Sequence, residues 1–320
     1  MAALRNEFSW SKSRDGVFHE CPRRYWFQYY GAWGGWEVGA DPRTRDIYIL
    51  KQLQTRQMWA GSRVHAAIER TLTNLAASEE PLAVNVDEIV AITLDQMRLD
   101  WKSSRDGKYR RLPKSCALFE HEYLIEVTEE EWRGIAATVE RCLRTFYASE
   151  IYGEIAASKR SDWLECEDFS SFLLDGVKVH VVLDFAMRRG REVVIYDWKT
   201  GASDEHDNRL QMACYTFYAH QTWGVAPEQV RPIEFNLNRG EVIPYAMTAA
   251  DLERTRAYIQ GSIADMRRLL THPDRNLARE ESFRKVNEAR TCRRCGFLGV
   301  CNPEVDAPLP RRRGAVVGAP

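Results

Sequence analysis

The chain has 320 residues, 44% hydrophobic and 28% charged, with 45 basic and 46 acidic side chains and a net charge of −1. These values describe an ordinary globular protein of one large or two modest domains; the charge balance neither demands nor forbids a nucleic-acid partner. No stretch approaches the ~20 apolar residues of a bilayer span, and "MAALRNEFSW" lacks the apolar core of a secretory signal, so the expectation is a cytoplasmic protein with no membrane partner.

In chain order, a first helix is expected over 11–30, with Ser11 or Asp15 able to cap its start. A second runs over 55–78, where Met58, Val64, Ala67, Ile68, Leu72 and Leu75 recur mainly at spacings of three and four. Further helices are expected over 84–103 and over 128–150, the latter opening on acidic residues that suit a helix N-terminus. The character changes at "SSFLLDGVKVHVVLDFAMRRGREVVIYDWKTG", Ser170 to Gly201, which alternates and carries turn signals at "DG" and "RRGRE". It predicts a three-strand meander. A helix over 205–223, a strand around "VRPIEFNLN" and a long helix over 249–271 follow. An irregular cysteine-bearing tail closes the chain, and its last residues, rich in Pro, Gly and Arg, predict disorder. The basic clusters "CPRRY", "RDGKYRRLPK" and "RRRG" read individually as solvated surface.

"VVIYDWKTG" places Asp197 and Lys199 on one face of a strand, two residues apart. An acid and a lysine pointing into one cleft suit metal-dependent hydrolysis of a phosphodiester. The carboxylate would hold a divalent cation, and the ammonium would orient or deprotonate the attacking water and offset charge on the phosphorane. Asp184 stands in the apolar run "VVLDFAM", where a buried carboxylate needs a partner, and the hairpin between brings it beside Asp197. Gln211 and Tyr215 share a helix face and could line the same cleft, offering hydrogen bonds to a DNA backbone. In "GSRVH", His65 is a candidate because imidazole suits Mn²⁺ and is tolerated beside carboxylates that hold Mg²⁺; Glu69, one turn on, is a lesser one.

"GSRVH", "LDF", "YDWKTG" and "QMACY" stand in the order of the motifs of PD-(D/E)XK nucleases of the RecB type, which the chain resembles from about Ser11 to Asn302. Each motif is weak alone; the ordered set carries the resemblance. It implies that His65, Asp184, Asp197 and the backbone carbonyl of Trp198 bind Mg²⁺ or Mn²⁺. It implies likewise that Lys199 assists the attacking water and that Gln211 and Tyr215 position the strand being cut.

Cys116, Cys142, Cys166 and Cys214 read as single buried thiols. "CRRCGFLGVC" is different: Cys292, Cys295 and Cys301 are spaced as metal ligands and lack a fourth. Cys21, followed by basic residues that stabilise thiolate charge, is the one other cysteine in a matching setting. Zn²⁺ and a 4Fe–4S cluster both accept four cysteines, although zinc knuckles more often divide their ligands into two pairs. The division of one plus three resembles the iron–sulfur subgroup of RecB-type nucleases, which includes the CRISPR-associated four-cysteine nuclease and the AddB nuclease domain. That resemblance favours 4Fe–4S, with a structural role.

The expected architecture is therefore α/β, a restriction-endonuclease-like core of helix, three-strand meander, helix and strand. A helical region (1–160) precedes the core (161–275), a cluster segment (276–305) packs back on the N-terminus, and a disordered tail (306–320) ends the chain. The expected activity is that of an Mg²⁺- or Mn²⁺-dependent deoxyribonuclease, an exonuclease acting on single strands or DNA ends. Aromatic residues of 25–36 could stack on unpaired bases, although packing around the cluster is the better reading for them. The rival reading is a non-catalytic DNA-binding or scaffold subunit. No Walker A pattern is present, so any ATP-driven unwinding would come from a partner; the partner expected besides DNA is a helicase or integrase subunit on a separate chain.

Overall fold

The computed structural model describes residues 4–78, 83–201 and 208–313. The N-terminal part comprises β1 (Ser9–Trp10), α1 (Lys12–Glu20), α2 (Pro22–Trp26), α3 (Pro42–Leu50), α4 (Arg56–Ala77), α5 (Val86–Arg105), α6 (Phe119–Glu122), α7 (Glu129–Tyr147) and α8 (Glu150–Ala157). There follow β2 (Trp163–Glu165), β3 (Phe169–Leu174), β4 (Val177–Val182), β5 (Phe185–Arg189), β6 (Glu192–Lys199), α9 (Arg209–Trp223), β7 (Val230–Asn236), β8 (Glu241–Pro244) and α10 (Ala249–Arg268). Two short helices, α11 (Ala289–Cys292) and α12 (Leu298–Cys301), carry the last cysteines.

Several expected helices appear with nearly their expected limits. Thr55 caps α4 by accepting from Met58 N–H, and Thr128 and Glu131 form a reciprocal capping box at the start of α7. The helix expected over 11–30 is instead broken at Cys21, whose backbone is extended (φ −162°, ψ 110°), and Pro22 starts α2. A residue before proline is driven out of the helical region, which explains the break. The last turn then widens to a π-helix at Phe27–Gly31. The helix expected over 128–150 ends at Tyr147, and Ser149 caps a separate α8. Of the helix expected over 205–223, residues 205–207 lie outside the described residues.

The expected three-strand meander proves to be four strands in two sheets. β3 and β4 form a hairpin that belongs, with β1, to a three-stranded sheet of order β1-β4-β3. The chain then changes sheet at Leu183 and Asp184, and β5 and β6 join a five-stranded sheet of order β2-β5-β6-β7-β8. β5 and β6 pair antiparallel, with Phe185 opposite Tyr196, whereas β6 and β7 are parallel and connected through α9.

β6 is buried on both faces, and its side chains alternate between two cores. Val193 and Ile195 join Trp10, Phe18, Tyr25, β3, β4, α9 and α10; Val194, Tyr196 and Trp198 join α4, α5 and α7. The N-terminal residues are thus part of the core beside the sheet. Trp10 Nε1 donates to Ser262 Oγ at 2.9 Å, and Arg23 Nε donates to the Phe283 carbonyl at 2.8 Å.

Residues 306–313, expected to begin a disordered tail, run back to the helical layer instead. Arg312 pairs with Asp46 and, at 2.7 Å, with Glu122, while Arg313 N–H donates to the Glu122 carbonyl at 2.7 Å. Glu122 is fully buried, so its carboxylate requires cations, and Arg110 and Arg312 supply them. Residues 314–320 lie outside the described residues. No helix among the described residues is long and apolar enough to cross a membrane.

Candidate active site

α4 reaches the end of β6 because residue 61 has no side chain. A Cβ there would meet Thr200 Oγ1 at 2.9 Å, nearer than such atoms approach, so the glycine of "GSRVH" permits the contact. One turn on, His65 Nδ1 lies 3.2 Å from Asp184 Oδ1 and 3.1 Å from Glu167 Oε1. Among the described residues these three form the one tight group of possible metal ligands, with their ligand atoms all within 4.8 Å of one another. Burial alone would lower the imidazole pKa, but the two carboxylates outweigh it and hold the value well above normal. Its Nδ1 thus faces both acids at hydrogen-bond distance.

Glu167 was absent from the expected site. It stands between β2 and β3 in the left-handed region (φ 54°), and its N–H donates to the Leu183 carbonyl at 2.9 Å. For a non-glycine residue that conformation costs on the order of 1–3 kcal/mol, and such strain gathers at functional sites. Burial raises its carboxyl pKa, against the hydrogen bond from His65. The acid run "ECED" just ahead of the first predicted strand was the available hint. Glu69, the lesser candidate, is exposed and outside this group.

Asp184 links two halves of the site. While Oδ1 faces His65, Oδ2 accepts the Trp198 N–H at 2.5 Å. Asp197 lies beyond the tight group, and the α9 side of β6 surrounds it. Its Oδ1 accepts from Tyr215 Oη at 2.8 Å and Gln211 Nε2 at 2.9 Å. Its Oδ2 is 2.6 Å from Lys199 Nζ, a close ion pair. Burial pushes the Asp197 pKa up, with Lys199 opposing and Asp184 adding to the rise. Burial would depress Lys199, but Asp197 beside it more than compensates and the ammonium is held. Gln211 Nε2 also donates to Tyr215 Oη at 2.5 Å, and its Oε1 accepts from Lys199 at 3.3 Å. Gln211 and Tyr215 were expected on a cleft-lining face. They are there, but α9 is buried continuously from Met212 to Ala219 rather than amphipathic.

A divalent cation suits these residues. Three carboxylates and one imidazole (Glu167, Asp184, Asp197 and His65) are buried or half-buried together, an oxygen-rich donor set whose negative charge a cation offsets.

Beyond the C-terminal end of α1, Cys21, Cys292, Cys295 and Cys301 line one shared cavity with Arg24, Phe27 and Leu298. Phe27 stacks on Phe297 with centroids 5.4 Å apart, and Tyr25 and Tyr30 pack on Phe283. These aromatics serve packing between the N-terminal segment and the cysteine segment. All eight cysteines are free thiols; Cys142 and Cys214 are buried, Cys116 and Cys166 half-buried.

The comparisons with known proteins agree with this geometry at the level of the family. Curated proteins give no match. The family model described as the PD-(D/E)XK nuclease superfamily matches residues 9–302, from β1 through the last cysteine. A match of that span takes in His65, Asp184, Asp197, Lys199 and α9 together, and the chain belongs to the PD-(D/E)XK nuclease superfamily.

Proposed function

We propose that this protein is a metal-dependent deoxyribonuclease that cuts single-stranded DNA or DNA ends, as an exonuclease. The observation that carries the reading is the arrangement around Asp197. A buried carboxylate is paired with the Lys199 ammonium at 2.6 Å and held by the Gln211 and Tyr215 donors, next to the His65–Asp184 pair. His65, Asp184, Asp197 and the Trp198 carbonyl would hold Mg²⁺ or Mn²⁺, with Glu167 as a further ligand or as the partner that orients His65. Within a strand a residue's N–H and C=O leave on the same edge. The Trp198 N–H contact to Asp184 therefore supports the carbonyl pointing that way. When bound, the cation would supply Lewis-acid polarisation of the phosphoryl oxygen and acidify a water.

The protein's own groups do the rest. Lys199, retained as an ammonium by Asp197, would donate to the attacking water or a non-bridging phosphate oxygen and offset the charge of the phosphorane. Tyr215 and Gln211 fix the Asp197 carboxylate, and Gln211 also fixes Lys199, so the acid and the cation keep their relative placement before substrate arrives. Incubation of labelled single- and double-stranded DNA with Mg²⁺, Mn²⁺ or EDTA tests this. Cleavage is expected only with metal, and Lys199→Ala should reduce it by roughly 10²–10³-fold, as loss of one transition-state donor does. Activity that survives EDTA or Lys199→Ala would overturn the reading.

At the four cysteines the proposal is a 4Fe–4S cluster rather than Zn²⁺. A tetrahedral zinc site with Zn–S of about 2.3 Å brings its sulfurs to about 3.8 Å from one another. Here no three cysteine sulfurs lie within 4.8 Å of one another. That wider sulfur spacing, with the division of the cysteines into one plus three, supports the larger inorganic core.

A further inference from the structure

A second lysine stands at the reaction centre, contributed by a part of the chain remote from the other site residues. Lys12, the first residue of α1, donates to Gln211 Oε1 at 3.2 Å and to Asn208 Oδ1 at 2.5 Å. The same Gln211 oxygen accepts from Lys199 at 3.3 Å. Two lysine amines therefore converge on one neutral amide oxygen; Asp197 is the carboxylate beside Lys199, and burial and then the Lys199 charge lower the Lys12 pKa. Asn208 is itself held, through Nδ2, by Glu234 at 2.8 Å, which keeps the Lys12 contact in place.

Beyond Lys12 opens a cavity of about 580 Å³, and Gln211 and Tyr215 form its inner wall. The size is that of a small-molecule site. Its other walls include Ser13 and Arg14 from the first turn of α1, and the aromatic rings of Tyr29, Phe169 and His180. Phe169 is 72% exposed and stacks on His180 with centroids 4.6 Å apart, so a large flat ring sits at the rim with an open face. Arg14 lies over the Tyr29 ring at 4.4 Å. A cationic floor beside the reacting groups and an aromatic rim match the two chemistries of a nucleotide, its phosphate and its base.

We propose that Lys12 contacts the phosphate that neighbours the one being cut, and that the adjoining cavity takes the flanking nucleotide of a single strand, its base stacked on Phe169. This rests on the nuclease reading above and adds the path of the strand away from Lys199. A base inside such a cavity has left its duplex partner, so the site selects unpaired ends. Base–aromatic stacking of this kind tolerates every sequence.

The test measures binding of a fluorescent oligodeoxythymidylate in Ca²⁺ buffer, by anisotropy, over a range of salt concentrations. Phe169→Ala, a change at an exposed position, should weaken binding by roughly 5–150-fold, the range of one stacked base. Lys12→Met should reduce the slope of log K against log salt by about 0.7, the value of one phosphate contact on a single strand. Lys12→Arg should restore that slope. A lysine that merely braces α9 would change affinity without changing the slope, and that result overturns the proposal. So does unchanged binding in Phe169→Ala. Failure of the wild-type protein to bind or cut any DNA would instead refute the nuclease reading itself, which separates the two.

Discussion

Around His65 and Asp197 each buried acid already has a protein partner. Asp184 has His65 and the Trp198 N–H, Asp197 has Lys199, Tyr215 and Gln211, and Glu167 has His65. Around Cys21, burial pushes the thiol pKa of Cys295 up to about 12 and that of Cys301 up to about 11. The first region can hold its shape by internal charge pairing. Under the cluster proposal the second would gain its ligand charge when metal displaces the thiol protons, which would couple metal binding to folding there. The difference teaches where each kind of damage should fall: loss of activity in one region, loss of the folded protein in the other.

The strongest test of that contrast is Cys21→Ala. Removing one of four ligands should release the N-terminal segment from the cysteine segment, a loss comparable with the whole stability of a domain, about 5–15 kcal/mol. The expected result is insoluble or colourless protein on anaerobic purification, measured by iron content and visible absorbance. A soluble variant that keeps the colour and full iron content would show that Cys21 is not a ligand.

Glu167→Gln should act in the opposite manner. The fold should persist, because His65 keeps Asp184 as a partner, while Mn²⁺ affinity drops about 10–100-fold, the scale for a ligand or its orienting partner. Titration calorimetry reads both affinity and fold integrity; unchanged affinity would break the assignment.

The smallest effect belongs to the helix that delivers His65. Gly61→Ala brings a methyl group against Thr200 Oγ1 and should cost about 1–3 kcal/mol by overpacking. Thr200→Ala in the same chain should recover most of it, as thermal unfolding would show.

Much of this site was legible in the sequence because its parts sit on regular elements. Asp197 and Lys199 follow strand alternation, Gln211 and Tyr215 follow helix spacing, and α4 carries a clear periodic stripe. What escaped depends on irregular backbone. Glu167 reaches His65 through a left-handed residue between two strands, which leaves no periodic trace. The transfer of the chain from one sheet to the other at Leu183 and Asp184 carries no glycine or proline, so four strands read as three. Lys12 lay in a stretch legible only as a helix cap, and its approach to α9 spans 199 positions of sequence. The tail to Arg313 looked disordered by composition, but the buried Glu122 supplies what composition does not record.

The contact between Arg23 and the Phe283 carbonyl joins residues 260 positions apart. During synthesis at 5–20 residues per second, the partner of Arg23 is made roughly 13–52 s after Arg23 itself. Through that interval Trp10, Phe18 and Tyr25 lack α10 and Phe283, against which they pack in the finished core. The helices over residues 12–26 therefore wait on residues made tens of seconds later before the core around them can close.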